Sequence, residues 1–227
     1  MLWLAMTALL TMFLWTGYEV RTQLHEYQAA RSEYAQLREQ FGVRVNAQSG
    51  GIIDNDTPSK AEAETEDTGN PGGIDFDALR DLNPDTVGWI VVPGTGISYP
   101  IVQGRDNERY LWHTFSGARN NSGAIFLDYR NAADFSDLHT IVYGHNMRDG
   151  SMFAPLHGWA GEHFIIYTPA GRVVFEVFDR QTVPANDTIF QLHGAPTDSG
   201  PLLVTLSTCV SGRPHLRYAI QGRHIGH

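Results

Sequence analysis

The stretch LLVTLSTCVSGRPHLRYAIQG, residues 202–222, contains two apolar runs separated by a glycine and a proline. Short apolar runs bounded by turn residues are typical of two β-strands joined by a loop. The first run ends at Cys209, the single cysteine of the chain, and the second begins near Arg217. In an antiparallel hairpin, the end of the outgoing strand lies beside the start of the returning one. The pattern therefore predicts that Cys209 and Arg217 meet at one edge of a sheet.

Six further apolar runs precede this hairpin: GWIVVPG, GISYPIV, GAIFLDY, HTIVYG, HFIIYTP and RVVFEVF. The connection YTPAGRV between the last two is typical of a hairpin turn. The segment IDFDALRDLNPDTVGW predicts one short helix that ends near Asn83 and Pro84. Eight short strands with little helix predict a mainly β fold, a closed or nearly closed eight-stranded β-barrel with short flanking helices.

The first segment, residues 1–18, reads MLWLAMTALLTMFLWTGY and carries no charged side chain. As a helix it spans about 27 Å, close to the thickness of a bilayer core. A cleaved signal peptide is the alternative, but the segment lacks a basic start and a small-x-small cleavage site. We therefore expect a transmembrane anchor over 1–18. Its orientation stays open, because Arg21 follows the segment and no basic residue precedes it.

Three further segments complete the predicted organisation. Residues 19–43 repeat apolar side chains at spacings of three, four and seven, which predicts an amphipathic helix. This helix is a stalk, a dimer seam or a helix packed on the domain. Residues 44–73 are acidic and rich in Gly, Pro, Ser and Thr, which predicts a flexible linker. Residues 74–227 are the predicted barrel domain.

Charge and histidine spacing exclude two classes of site. The net charge is −9 and no basic face is visible, so nucleic acid is not an expected partner. The ten histidines are scattered, without an H-x-x-x-H or H-E-x-x-H spacing, so no metal site is expected.

Three residues are candidates for covalent catalysis, which requires a nucleophile, an acid–base group and an oxyanion donor. Cys209 is the sole thiol, although a lone cysteine after an apolar strand is equally typical of a core residue. His145 follows an apolar run and a glycine in IVYGHNMRDGSMF, whereas most other histidines lie in loops or at edges. Arg217 begins the returning strand, where an ordinary solvent-facing arginine is the alternative.

Four motifs in one order, SGAIFLDYRN, YGHNMRDGSMFAPL, TLSTC and an arginine eight residues after the cysteine, resemble a class B sortase. The resemblance extends from about Ile74 to Arg223. It implies a membrane-anchored cysteine transpeptidase of Gram-positive bacteria on an eight-stranded barrel. It also implies a cytoplasmic N-terminus and an extracellular catalytic domain.

By the same resemblance, Cys209 is the nucleophile, His145 the general acid and base, and Arg217 the oxyanion stabiliser. The implied partners are surface proteins with a C-terminal sorting signal of the Asn-Pro-x-Thr-x type, cut after the Thr. The acceptor is an amine of a peptidoglycan precursor of the lipid II type, and no cofactor is required. The implied substrate-binding positions, each also explicable as a structural residue, are Asn107, Leu111, Tyr143 and Ser207.

One interval departs from the class pattern. Class B members usually carry a long helical insertion between the sixth and seventh strands, but Val183–Pro201 is short and contains several prolines and glycines. We therefore expect a more open groove beside the site. The alternative functions are a pilin-polymerising sortase, a secreted cysteine peptidase, and a catalytically silent β-domain that binds peptides.

Overall fold

The computed structural model describes residues 2–42, 73–192 and 201–225. Its helices are α1 (Leu2–Phe41) and α2 (Phe76–Leu82). Its strands are β1 (Thr86–Val91), β2 (Ser98–Val102), β3 (Ile125–Leu127), β4 (His139–Tyr143), β5 (His163–Thr168), β6 (Gly171–Pro184), β7 (Leu203–Val210) and β8 (Arg213–His224). Short 3₁₀ turns occupy Arg109–Leu111, Ala154–Gly158 and Thr188–Phe190.

The eight strands form a closed barrel in the order β1-β2-β3-β4-β7-β8-β6-β5. Neighbouring strands are antiparallel except for the pairs β2–β3 and β4–β7, which are parallel. Each predicted apolar run coincides with one strand, which confirms the predicted eight-stranded β-barrel. The predicted hairpin turn joins β5 to β6, where Thr168 pairs with Gly171.

Large apolar side chains from the strands fill the core, among them Trp89, Ile101, Ile125, Phe164, Phe175 and Ile220. On β7, Val204 and Leu206 belong to this core. Because side chains alternate along a strand, Ser207 and Cys209 point to one face of β7, and the two core residues point to the other. The core therefore holds β7 in place while Cys209 lies on the face that Leu206 does not occupy.

The helix α2 is capped at its first turn and ends where the sequence predicted. The Asp75 side chain accepts a hydrogen bond of 2.9 Å from the Ala78 N–H, which satisfies one free donor of the first turn. Asn83 ends the helix, as predicted, and its side-chain amide donates to the Phe115 carbonyl at 2.7 Å. This bond ties α2 to the loop that precedes β3.

The helix α1 is continuous, with no break between the predicted anchor and the predicted amphipathic segment. Its second half packs on the barrel, with buried side chains at Ala30, Tyr34, Leu37 and Phe41. Of the three interpretations left open for residues 19–43, the packed helix describes this half. The first half exposes its described large apolar side chains.

The prediction of a transmembrane anchor over 1–18 is not supported. Among the described residues, we find no helix with the length and apolar character needed to cross a bilayer. Three threonines, Gly17 and the amphipathic Trp and Tyr side chains dilute the aliphatic residues of this segment. The predicted linker lies outside the described residues except for Gly73, and so do residues 193–200 of the short interval before β7.

Candidate active site

Cys209 and Arg217 lie directly opposite each other in the pairing of β7 with β8. Opposed residues of an antiparallel pair point to the same face of the sheet. A bulge follows between Cys209 and Val210, where the regular register ends. The structure thus brings together the two residues that the hairpin pattern predicted to meet, with the thiol half-buried.

His145 lies on the other side of Cys209, beyond the end of β4. The last pair of the parallel strands β4 and β7 is Tyr143 with Ser207, and His145 and Cys209 each follow that pair by two residues. The Gly144 N–H donates to the Ser207 carbonyl at 3.1 Å, which continues the contact past the strand end. The three candidates therefore lie in one row across β4, β7 and β8.

A backbone carbonyl holds the imidazole of His145. Its Nε2 lies 2.8 Å from the carbonyl oxygen of Leu111. Because a carbonyl only accepts hydrogen bonds, Nε2 carries the hydrogen, and Nδ1 of the neutral ring carries the lone pair. The Trp112 ring packs beside the imidazole, with 6.2 Å between the ring centroids. The atom left for proton exchange is therefore Nδ1.

Burial lowers the pKa of His145 below its ordinary value of 6.5. The hydrogen bond to the Leu111 carbonyl opposes this shift, whereas the positive charge of Arg217 adds to it. Both burial and the nearby guanidinium disfavour the imidazolium form. His145 is therefore neutral at pH 7 in the absence of substrate, and it lies within the electrostatic field of Arg217.

Two side chains hold the main-chain carbonyl of Cys209. The Asn146 side-chain amide donates to it at 2.9 Å, and Nε2 of His157 lies 3.0 Å from the same oxygen. Asn146 also reaches Oγ of Ser211 at 3.2 Å, and the His157 ring stacks on Tyr218 with 4.7 Å between centroids. With Nε2 of His157 as a donor, both lone pairs of the Cys209 carbonyl are satisfied.

Arg217 is anchored through one of its two terminal nitrogens. Nη1 donates to the carbonyls of Pro214 and Leu216 at 2.8 and 2.9 Å. A guanidinium has five N–H groups, so these two bonds leave the three on Nε and Nη2 for other acceptors. The side chain thus presents a fixed, charged donor group beside the thiol.

Asn107 and Tyr143, two of the expected substrate-binding residues, meet at the buried carboxylate of Asp128. The Asn107 amide donates to Oδ2 of Asp128 at 2.9 Å, and the Tyr143 hydroxyl donates to the same oxygen at 3.0 Å. Arg130 donates twice to this carboxylate, at 2.8 Å each. Burial alone raises the pKa of Asp128, but these hydrogen bonds outweigh it and leave the pKa below its usual value. Asp128 is therefore ionised and fixes the Asn107 and Tyr143 side chains to one carboxylate.

Leu111 and Ser207, the other two expected substrate-binding residues, adjoin the row directly. Leu111 contributes the carbonyl that holds His145. Ser207 pairs with Tyr143 on one side and Ala219 on the other, and its hydroxyl is buried without a partner among the described residues. The Ser207 hydroxyl therefore keeps an unused donor and acceptor two residues before Cys209. Burying a hydroxyl in this state costs free energy.

Sequence reasoning missed Asn146 and His157. Asn146 directly follows His145 in the motif, but its contact with Cys209 depends on the parallel pairing of β4 with β7. His157 is one of the histidines that the sequence places in loops or at edges, and its side chain is exposed while its Nε2 contacts the Cys209 carbonyl. The one available signal for Asn146 was its polar side chain directly after His145.

Two clefts of about 240 and 180 Å³ lie along the seam between α1 and the barrel. Neither of these two clefts is lined by a member of the row. Over residues 2–42, 73–192 and 201–225, we find no group of three or more His, Cys, Asp or Glu side chains arranged to hold a metal ion.

Comparison with known proteins identifies the family of the chain. A family model of the sortase domain matches residues 90–225, more than half of the chain. Sortase B of Listeria monocytogenes serovar 1/2a is 47% identical over 105 residues, 45% of this chain and 43% of that protein. Sortase B of Staphylococcus aureus is 38% identical over 89 residues, 39% of this chain and 36% of that protein. The chain thus matches less than half the length of these two curated relatives.

A crystal structure of sortase B from B. anthracis superposes with a TM-score of 0.64 at 26% identity, over 90% of this chain and 100% of that one. The family match over residues 90–225 and the shared fold agree. The chain therefore belongs to the sortase family and resembles its class B members.

Proposed function

We propose that this chain is a cysteine transpeptidase of the sortase B type, with Cys209 as nucleophile, His145 as general acid and base, and Arg217 as oxyanion donor. The observation that carries the proposal is the row itself: Cys209 is paired directly with Arg217 and follows Ser207 at the same distance as His145 follows Tyr143. Nucleophile, proton carrier and fixed cation thus lie side by side, which is what acyl transfer by a thiol requires.

The reaction takes place in two halves. The thiolate of Cys209 attacks the scissile carbonyl, and the free N–H groups of Arg217 stabilise the resulting oxyanion. His145, protonated at Nδ1 by the thiol proton, returns that proton to the departing amine, which leaves a thioester on Cys209. A second amine then attacks the thioester and gives up a proton to Nδ1. The thiolate leaves, the new amide is released, and the proton on Nδ1 returns to the sulfur to restore the thiol.

The proposed substrates are surface proteins with a C-terminal sorting signal of the Asn-Pro-x-Thr-x type, cleaved after Thr. The proposed acceptor is an amine of a lipid II-type peptidoglycan precursor at the cell surface. Both curated relatives are named sortase B, and the proposed signal and acceptor are those that the resemblance to this class implies. Sortase B of S. aureus, which shares the fold at 24% identity, has been solved as a substrate complex. Asn107, Leu111, Tyr143 and Ser207 are proposed to line the path of the signal.

Cleavage of a fluorogenic library of such pentapeptides, with and without an added amine, tests the proposal. The wild-type protein is expected to release the fluorophore, to form an acyl-Cys209 adduct visible by mass spectrometry, and to yield amide product when amine is present. Cys209→Ala and His145→Ala are expected to abolish all three. His215→Gln, at an exposed histidine near the start of β8, is the matched control and should retain activity.

The competing functions predict different products. A peptidase yields only acid product even with amine present, and a silent binding domain yields no adduct. A pilin-polymerising enzyme prefers a lysine of a second protein subunit over the wall-type amine. Retention of cleavage in either the Cys209 or the His145 variant excludes the assignment of the row.

A further inference from the structure

Tyr34 is a polar residue in the buried face of α1, with 3% of its surface exposed. Its hydroxyl donates to the Gly123 carbonyl at 2.7 Å and accepts from the Phe115 N–H at 3.2 Å. Both partners belong to the loop between the 3₁₀ turn Arg109–Leu111 and β3. A single hydroxyl of the N-terminal helix therefore fixes both ends of the segment 115–123.

Gly123 lies against the imidazole of His145. A Cβ atom at this position would lie 3.1 Å from Cδ2 of His145 and 2.8 Å from the Leu111 carbonyl oxygen, which accepts from Nε2 of the same ring. The Gly123 backbone thus forms one wall of the imidazole site. A shift of this backbone moves that wall and changes the space beside the Leu111 carbonyl that holds the ring.

A second path leads from Tyr34 to the loop that follows His145. The Tyr34 ring packs edge-on against Tyr99, with 5.2 Å between centroids, and the Tyr99 hydroxyl accepts from the Met152 N–H at 3.2 Å. Met152 forms an isolated bridge with Asn146, and the Phe153 N–H donates to the His145 carbonyl at 2.9 Å. The residues on both sides of the imidazole are therefore connected to one side chain of α1.

Other contacts of α1 tie the same loops at the surface. Oε1 of Glu33 accepts from the Ser116 N–H at 2.8 Å, and Arg31 lies 3.7 Å from Asp149. Surface ion pairs and exposed hydrogen bonds contribute little, because water replaces them readily. Tyr34 differs because its hydroxyl and both of its partners are buried, so that water does not replace the lost bonds.

We propose that Tyr34 is a positioning residue for His145, through which the N-terminal helix sets the geometry of the acid–base group. The proposal rests on the proposed function only for its effect on turnover. Tyr34 contacts no member of the row in any bond or ring pair described above. The loss of its hydroxyl therefore acts on the placement of the imidazole. Misplacement of a reacting group by less than an ångström lowers turnover by roughly 10- to 100-fold while substrate binding is retained.

The test compares Tyr34→Phe with Tyr18→Phe in the full chain. Phenylalanine keeps the ring and removes only the hydroxyl, and Tyr18 lies on the same helix with 70% of its surface exposed. In Tyr34→Phe, kcat for peptide cleavage is expected to fall at least tenfold with KM changed less than twofold. The imidazole signals of His145 in ¹H–¹⁵N spectra are expected to shift and to titrate at higher pH, because the ring becomes more solvated. Tyr18→Phe should leave all three unchanged.

An unchanged kcat together with an unchanged His145 titration in folded Tyr34→Phe overturns the proposal. So does a loss of activity that equals the unfolded fraction while the His145 signals of the folded fraction stay as in the wild type. If Tyr34→Phe does not fold, Tyr99→Phe removes the acceptor of the Met152 N–H from the barrel side and must move the same His145 signals. The titration needs no substrate, so an inactive wild-type protein counts against the proposed function alone.

Discussion

The side-chain amide of Asn146 donates a hydrogen bond of 2.9 Å to the main-chain carbonyl of Cys209. Since Asn146 directly follows His145, this bond joins the proposed acid–base group to the proposed nucleophile through one side chain. It lies beyond the last regular pair of β4 with β7, where strand pairing no longer fixes the separation of the two chains. The Asn146 side chain thus fixes the separation of the two chains beyond the last strand pair.

Replacement of Asn146 by alanine is expected to lower kcat about tenfold, because Cys209 and His145 lose part of their relative positioning. The loss of stability is expected to be about 1 kcal/mol, since His157 still contacts the carbonyl. Steady-state cleavage and urea unfolding measure the two effects. Ser211→Ala, which removes only the longer contact of 3.2 Å, is the control and should stay within twofold of the wild type. Equal kcat values for the two variants contradict a role for Asn146 in positioning Cys209 relative to His145.

Replacement of Arg217 by lysine is expected to lower turnover at least ~100-fold, the scale of losing an oxyanion donor. Lysine keeps the charge, but it has no second nitrogen with which to bind the Pro214 and Leu216 carbonyls and stabilise an oxyanion together. Single-turnover acylation of Cys209 isolates the affected step. Arg213→Lys, at an exposed position of the same hairpin, is the control. Wild-type acylation by the Arg217 variant means that charge alone suffices.

Replacement of Asp128 by asparagine is expected to destabilise the fold by about 2–4 kcal/mol at pH 7, because Arg130, Asn107 and Tyr143 lose a common ionised acceptor. The pKa of Asp128 is lowered in the folded state, so its stabilisation is complete above the ordinary carboxyl pKa of 3.8 and is lost as the pH falls through the lowered value. Urea unfolding at a series of pH values should therefore show that the wild type and Asp128→Asn become closer in free energy of unfolding only below pH 3.8.

Asp134→Asn is the control, because this carboxyl is exposed and its replacement should change stability little. A wild-type free energy of unfolding for Asp128→Asn at pH 7 shows that the buried network is energetically neutral.

The sequence allowed the eight strands and the meeting of Cys209 with Arg217 to be predicted, since both follow from local pattern and from a short hairpin. The place of His145 beside Cys209 followed only from the family resemblance, because it depends on a parallel pair of strands far apart in the chain. Local patterns do not determine which distant strands pair, and the contacts of Asn146 and His157 with the Cys209 carbonyl depend on that pairing.

The helix α1 agrees with one part of the sequence prediction and not with another. The amphipathic spacing of residues 19–43 correctly predicted a helix, and Tyr34, Leu37 and Phe41 from that pattern are buried against the barrel. The length of residues 1–18 and their lack of charge predicted a bilayer span, which the described part of the helix does not support. The hydrogen bond of the Tyr34 hydroxyl to the Gly123 carbonyl could not be predicted from the sequence. A tyrosine on an apolar helix face is usually a core residue.

The lowered pKa of His145 predicts a specific pH dependence of stability. Between its folded value and about 6.5, the unfolded chain binds more protons than the folded chain, so acidification through this range favours unfolding. The fixed charge that faces the ring is Arg217, which opposes protonation throughout. His145→Gln is therefore expected to lose less stability than the wild type between pH 7.5 and pH 5, as measured by urea unfolding. His215→Gln should follow the wild-type curve, and a His145→Gln curve parallel to it contradicts a depressed pKa.

Replacement of Gly123 by alanine is expected to lower kcat about 100-fold, because the new methyl group displaces the Leu111 carbonyl and the imidazole that it holds. Gly123 has a φ of +56°, so alanine also brings backbone strain of about 1–2 kcal/mol. Gly94→Ala separates the two effects, since its φ is +76° and no atom lies within 4 Å of the added Cβ. Both variants should therefore lose stability in urea unfolding, while only Gly123→Ala loses turnover and shifts the His145 imidazole signals. Equal turnover of the two variants means that strain, and not displacement of the His145 wall, accounts for the requirement for glycine.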